Sequence, residues 1–440
     1  DSSTDFRQEI EIPGLSPQMR ARVRSQIEHI DYSLRNERKI GVRAIIQING
    51  RGTEDRQIEV ARDLRGIEDI ELLQEDMAYS HIIAGKESKA LVKESIDLDE
   101  NFPEILEILE WKASVLEEGS KVGDGKLIVG GNLLVELLYT SGDEERPLDV
   151  LRRKIPFTHF VEIAGGHANM DYRVGMDVNQ IYTSIKEDQE GLNRLLEIEG
   201  VVALEVEVIE NRRQAVIVDA YSPSQELNLQ QSSIWIRETL ARHNFHLLLR
   251  EDMELATGQD NFSRIISVVG RAIVTECNIV EERILIEGVL AVEILYSSDE
   301  QMRSIHSYKQ EIPFRHYEEL DGINSGAQMD IEAFVGELDY NKINHRQIEI
   351  RGDIVLKGDF YRSRLVDIVL DAEKTGEEVN LRERPSLTIY FFQEGDSLWQ
   401  IAKKYHTSVE QIMENNAIED IDNINIGDQI IIEKLYNFEF

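Results

Sequence analysis

The sequence predicts a mainly β chain of the α+β class: tandem antiparallel β-sandwich-like repeats followed by a small βααβ module. Three observations carry that prediction. Most of the chain alternates apolar and polar residues, or runs β-branched and apolar between polar turns, which is the periodicity of strands. A 32-residue stretch occurs twice without a gap. Apolar residues at helical spacing behind capping residues are clearest in the last fifty or so positions.

The repeat sets "GNLLVELLYTSGDEERPLDVLRRKIPFTHFVE" (Gly131 to Glu162) against "GVLAVEILYSSDEQMRSIHSYKQEIPFRHYEE" (Gly288 to Glu319). Gly131 falls on Gly288, Leu138-Tyr139 on Leu295-Tyr296, and Ile155-Pro156-Phe157 on Ile312-Pro313-Phe314. Asn101-Phe102 matches Asn261-Phe262 upstream, and Met170-Asp171 matches Met329-Asp330 downstream. A match of this length marks a duplicated domain. Within it, "KLIVGGNLLVELLYTS" and "RILIEGVLAVEILYSS" read as paired strands broken by glycine. "ALEVEVIENRRQAVIVDAY" and "RQIEIRGDIVLKGDFYRSRLVDIVLDA" alternate around polar turns, as half-buried hairpins do. "NFPEILEILEWKA" predicts a helix, capped by Asn101 with Ile105, Leu106, Ile108 and Leu109 as its apolar stripe.

The segment 1–64 resembles the closing half of a third copy: "FRQEIEIPGLSPQM" parallels the Ile-Pro strands, and "RKIGVRAIIQINGRG" parallels the final hairpin. A half-domain leaves strand edges to be covered. Preceding residues, another part of the chain or another molecule are all open as the source. The opening Asp1-Ser2-Ser3 fits processing or trimming equally. Full copies are expected over 72–221 and 234–372, with low-periodicity links at Arg65 to Glu71 and Ser222 to Ser233. A charged flexible linker is expected over 373–386, the small module over 387–434, and a tail, "LYNFEF", over 435–440.

In the tail module "LTIYFF" is a strand and Gly395-Asp396-Ser397 a turn. Leu398, Ile401, Ala402 and Tyr405 share one helix face. Thr407 to Glu410 forms a capping box for a second helix with Val409, Ile412 and Met413 inward, and "IGDQIIIEK" closes as a strand. The spaced "GDSLWQIAKKY…SVEQIMENN…INIGDQIIIE" resembles a LysM domain. That resemblance implies N-acetylglucosamine polymers, chitin or peptidoglycan, as ligand. The implied groove has Gly395, Asp396, Ser397 and Leu398 on one side and Asn416, Ala417 and Ile418 on the other. Asp396 and Ser397 serve equally as helix caps. Ala417 stands where many such domains carry proline. The module holds nine acidic and three basic residues, a net −6 that disfavours an anionic wall.

The duplicated domain adds a second resemblance. A glycine-punctuated strand ending in Leu-Tyr, followed about 17 residues later by Ile-Pro-Phe, is similar to the SPOCS domain of endospore coat and morphogenesis proteins. Two copies, a partial third and a terminal LysM together resemble the SipL-like coat morphogenetic proteins. The resemblance implies a SpoIVA-like coat ATPase or other coat proteins as partners. It places the chain in the spore coat, at the mother-cell-facing surface of the forespore; a cell or spore surface is the alternative.

Charge and chemistry narrow the remaining classes. The formal charge is −36 over 440 residues, with 84 acidic side chains. A polyanion has no electrostatic reason to bind nucleic acid or an anionic membrane. Basic protein surfaces, neutral glycans or further copies of the chain are the expected partners. No run approaches the roughly 18 apolar residues of a membrane helix. Walker A, Gly-x-Ser-x-Gly and His-Glu-x-x-His patterns are not found, and "GDGKLIVGG" leads into a strand, so no catalytic residue, cofactor or metal is expected. His243 and His246 precede a strand-like run that sets them on opposite faces. His159 and His316 occupy equivalent places and are expected to stabilise a turn. Cys277 lies in a strand-like run and reads as a buried structural thiol. The exposed aromatic edge Tyr390, Phe391 and Phe392 is the expected partner contact of a non-enzymatic scaffold. A glycan-binding surface protein, and a self-assembling filament completed by strand exchange with "LYNFEF", are the other readings.

Overall fold

A computed structural model describes residues 5–36, 39–54, 58–67, 69–280, 283–299, 304–379 and 385–434. The tail 435–440, and with it the added-strand reading of "LYNFEF", lies outside the described residues. The chain divides into two compact units, Asp1–Ala61 and Arg62–Phe440.

The first unit is an antiparallel hairpin of β1 (Arg20–Asn36) and β2 (Lys39–Thr53). A bulge between Ile27 and His29 shifts the alternation by one residue, which keeps apolar side chains on one face on both sides of it. That face carries Val23, Ile27, Ile30, Tyr32, Leu34, Ile40 and Val42, all exposed. Near its open end Ile12 and Leu15 lie against Gly50 and Gly52.

The second unit begins with a sandwich of β3 (Glu71–Asp97), β4 (Ile105–Glu117), β5 (Lys121–Gly123), β6 (Lys126–Ser141), β7 (Leu148–Glu162), β8 (Asp171–Lys186) and β9 (Leu195–Tyr221). One sheet has the order β3-β9-β8; in the other, β6 lies between β7 and the β4–β5 edge. A second sandwich repeats this with β10 (Gln225–Glu254), β11 (Arg264–Val280), β12 (Arg283–Ser297), β13 (Ile305–Glu319), β14 (Gln328–Lys342) and β15 (Gln347–Glu378). Its sheets run β10-β15-β14 and β11-β12-β13. Each core forms between the two sheets: Leu133, Leu137 and Tyr139 of β6 join Leu196, Ile198, Val202 and Leu204 of β9 in one buried cluster. Leu290, Ile294, Tyr296, Ile350 and Ile354 belong to the other.

The repeated motif has a physical reason. Gly131 pairs across the sheet with Phe157, and Gly288 with Phe314. A Cβ on Gly131 would stand 2.8 Å from the Phe157 ring and 2.8 Å from the Leu116 carbonyl oxygen. The phenylalanine of Ile-Pro-Phe lies over the glycine, supplying the packing that glycine lacks.

Several expectations are corrected. "NFPEILEILEWKA" is not a helix: Ile105 onward is strand β4, with bulges between Ile105 and Glu107 and between Ile108 and Glu110. Each bulge inserts one residue, so apolar positions recur every three residues and mimic helical spacing. Ser222 to Ser233 is mostly not a link either. Only Ser222 to Ser224 turn, held by Asp69, which accepts from the Ser222 hydroxyl at 2.6 Å and the Ser224 amide at 3.0 Å. Strand β10 starts at Gln225, where a register shift between Gln230 and Gln231 hides its alternation. The start of the expected flexible linker is strand as well, since β15 continues to Glu378. His159 and His316 sit within β7 and β13, not at turns, opposite Val129 and Ile286. His159 Nε2 lies 2.8 Å from the Ser88 hydroxyl.

The sandwiches meet through unlike faces. Edge strand β7 of the first lies along edge strand β11 of the second, joined by side chains in place of a shared ladder. Arg152 pairs with Glu136 at 2.7 Å and donates to the Val268 carbonyl at 3.0 Å, while Ser267 donates to Glu136. Arg264 stands 3.7 Å from Asp149. A cleft of about 490 Å³ lies here, lined by Val150, Arg152, Arg264, Ile266 and Tyr340 among others. At the other sheets Asp359 accepts from Arg173 at 2.7 Å and from Arg242 at 2.5 Å, and Lys357 bridges to Glu117 at 2.7 Å.

Candidate partner-binding module

Residues 387–434 form a hairpin of β16 (Leu387–Phe391) and β17 (Gln429–Glu433) with α1 (Leu398–Tyr405) and α2 (Val409–Asn416) between them. Leu398, Ile401, Ala402, Ile412, Ile430 and Ile432 make its core. Both helices are short and depend on their caps. Ser397 accepts from the Gln400 amide and Ser408 from the Gln411 amide. Ala417 ends α2 in the left-handed region at φ 50°, an unusual role for a residue with a Cβ.

The expected groove residues are tied up in this framework. Asp396 accepts from the Tyr390 hydroxyl at 2.7 Å and from the Gln393 amide at 2.9 Å, which closes the first turn. Its carboxylate raises the Tyr390 phenol above its ordinary pKa, with burial adding a smaller push. Asn416 donates to the Ile412 and Ile431 carbonyls and accepts from the Ile431 amide, each at 2.7 Å, stitching α2 to β17. Leu398 is buried, Ile418 is half-buried and donates its amide to the Met413 carbonyl, and Gly395 and Ala417 are exposed.

The aromatic edge also divides. Phe391 points to solvent, whereas Tyr390 and Phe392 turn toward the module's core, Tyr390 edge-on to Tyr405. This corrects the expected exposure of all three, because strand alternation separates neighbours. The exposed set is instead Leu387, Ile389 and Phe391 on β16, with Ile431 opposite Ile389. Alternate residues of "LTIYF" were the signal that identifies them.

The module is docked, not freely tethered. Tyr221, the last residue of β9, is buried in the module's own core cluster and donates to the Thr407 carbonyl at 2.7 Å. Its ring meets Trp399 edge-on at 4.9 Å. Asp219, two residues earlier and so on the same face of the strand, accepts from Trp399 Nε1 at 2.8 Å and from Lys403 Nζ at 2.6 Å. Burial pushes the Tyr221 phenol up, and Glu71 and Asp219 push it further. Sequence spacing gave no sign of Asp219 and Tyr221 as docking residues, since partners 180 positions apart leave no local pattern.

With the geometry described, comparison with known families decides the module's kind. Residues 390–433 match the LysM domain, and 104–186 and 262–343 each match the SipL SPOCS domain. The chain carries two SPOCS domains and one LysM domain. This is a SipL-like arrangement. No curated protein and no solved structure matches the chain. The SPOCS matches cover β4–β8 and β11–β14, leaving the long strands β3, β9, β10 and β15 outside. SPOCS and LysM are non-catalytic binding domains. They make this a sporulation-related protein whose LysM domain is of a kind that binds glycan polymers such as peptidoglycan. Among the described residues no cluster of His, Cys, Asp and Glu is arranged to hold a metal ion, and no helix is long and apolar enough to cross a membrane.

Proposed function

We propose that the protein is a non-enzymatic scaffold of the endospore coat, built on its SPOCS domains, whose LysM domain docks a SpoIVA-like ATPase at the mother-cell-facing surface of the forespore. The observation that carries this reading is the exposed apolar strip Leu387, Ile389, Phe391 and Ile431 on a module held in place by Asp219 and Tyr221. An apolar patch on a fixed module of net negative charge suits a protein partner. The glycan groove, Gly395, Asp396, Ser397, Leu398, Asn416, Ala417 and Ile418, has its side-chain hydrogen-bonding capacity largely spent on its own turns.

The test compares two variants of the full chain, Ile389→Asp and Ile418→Asp, for binding to a SpoIVA-like ATPase and to chitooligosaccharides. Loss of ATPase binding in Ile389→Asp alone supports the reading. Binding of the sugar that only Ile418→Asp abolishes, with no ATPase binding, replaces it with a glycan-binding surface protein. The exposed apolar face of β1–β2 favours a further reading, completion of a third SPOCS-like domain by strands from the same or another molecule. Regular fibres in negative-stain microscopy, abolished by Tyr32→Asp, would support it.

A further inference from the structure

The contact between the two SPOCS domains is heterologous: the β7 edge of the first meets the β11 edge of the second. Among the described residues such a contact leaves the complementary edges without a strand partner at the two ends, β13 on the second domain and β4 on the first, where only the terminal Glu117 reaches across to Lys357. We propose that this contact recurs between chains, with β13 of one copy against β4 of a second copy, building open-ended strings of SPOCS domains. The inference uses the domain packing alone and does not depend on the coat setting.

Strand pairing aligns the edges residue by residue. Leu109 and Ile266 are the extra residues of equivalent bulges, and Trp111 opposite Leu137 corresponds to Val268 opposite Ile294. Ile266 and Val268 are covered, at 8% and 2% exposure, with Ile266 in the interdomain cleft and the Val268 carbonyl under Arg152. Leu109 and Trp111 are open, at 47% and 45%. An edge strand carrying exposed Leu106, Leu109 and Trp111 invites a partner.

The opposite edge is equipped to meet it. Lys309 occupies the place of Arg152 and pairs with Glu293 at 3.4 Å, as Arg152 pairs with Glu136. Ile305, four residues back on the same face of β13, is exposed. Arg264 facing Asp149 within the chain becomes Glu107 facing His306 between chains, a weaker pairing, since His306 Nε2 already lies 3.1 Å from the Ser298 hydroxyl and 3.5 Å from Asp260. Glu110 replaces Ser267 and would approach Glu293, so Lys309 must serve two carboxylates. The Asp359 cluster has no counterpart at the free ends, because Glu332 stands where Arg173 does. The contact between chains is therefore a single edge strip, weaker than the one inside the chain.

Sedimentation velocity of the full chain at low salt tests this over a concentration series reaching the millimolar range. The variants are Trp111→Lys, blocking the β4 edge, and Lys309→Glu, blocking the β13 edge; Leu109→Glu replaces the first if its circular dichroism departs from wild type. The wild type is expected to form a ladder of species, and each variant alone to associate at least tenfold more weakly. An equimolar mixture of the two variants retains one good edge of each kind, so it is expected to form two-chain species and nothing larger. A wild type that stays monomeric throughout, variants that assemble like wild type, or a mixture without two-chain species would each overturn the proposal.

Discussion

Replacing Tyr221 by alanine should free the LysM domain while leaving the SPOCS domain that carries it intact. Tyr221 lies at the end of β9, and its ring belongs to the LysM core cluster, not to the core of its own sandwich. It is 5% exposed, so truncation removes an almost completely buried aromatic, a loss of about 3–5 kcal/mol. The hydrogen bond to the Thr407 carbonyl adds about 1 kcal/mol. The remaining polar bridge, Lys403 and Trp399 on Asp219, contributes less, because the lysine is 42% exposed and screened by solvent. The docked fraction should thus fall by about 10³–10⁴-fold relative to the undocked. Nitrogen relaxation of amides in α1 and β17 measures this as a drop in rotational correlation time toward that of a small free domain. Thermal unfolding of the SPOCS domains should be nearly unchanged. A LysM domain that still tumbles with the body in Tyr221→Ala, or a SPOCS transition lowered by several degrees, would refute the assignment of Tyr221 to the docking contact.

Three further outcomes follow from the geometry. Asp359→Asn leaves Arg173 and Arg242 without their shared carboxylate and should cost about 1–3 kcal/mol in urea unfolding, below the 3–5 of a fully buried pair. Burial alone would raise the Asp359 pKa, but Arg242 and Arg173 outweigh it and hold the carboxyl below its ordinary value. Its stabilisation is therefore complete above the unfolded-chain carboxylate pKa and lost as pH falls through the depressed folded value; the gap between wild type and Asp359→Asn should close only in strong acid. Gly131→Ala drives a Cβ to 2.8 Å from both Phe157 and the Leu116 carbonyl and should cost about 1–3 kcal/mol by overpacking, measured by the same unfolding curves. Burial, with help from Glu276, pushes the Cys277 thiol up to about 11, so iodoacetamide should alkylate it at pH 8 far more slowly than free cysteine, with the rate climbing toward that value.

What the sequence made legible was whatever repeats or has a local period. The Gly131 to Glu162 duplication announced two sandwiches because pairing glycine with phenylalanine across a ladder requires both residues in both copies. The Ser397 cap was readable because a cap acts within three residues, but the capping box expected from Thr407 to Glu410 lies one residue early: Ser408 caps α2, and the Thr407 hydroxyl turns to the Gln411 side chain. Bulges defeated the same method at Ile105 to Glu110, where two inserted residues disguised a strand as a helix. The candidate groove is what the LysM resemblance implies, and the commitment of Asp396 and Asn416 to backbone atoms lay beyond it, since that depends on where the chain returns. The docking pair Asp219 and Tyr221 was invisible for the same reason. The exposed strip on β16 was legible in principle, but reading three consecutive aromatics as one edge ignored the pleat.

The long strand β9 has a mechanical consequence. Its 27 residues extend about 90 Å, from the turn after β8 to the LysM core. Over that length it is laced to β3 by an antiparallel ladder. A pull that reaches β9 through the Tyr221 and Asp219 contact loads many of those hydrogen bonds side by side in shear, so within the ladder no single bond opens first. The strand is a girder, able to pass tension from the LysM domain into the body of the first SPOCS domain up to the load at which the Tyr221 and Asp219 contact parts. Single-molecule pulling between the LysM domain and the start of β3 would read the strength of that coupling, the docking contact parting first and the β3–β9 ladder after it.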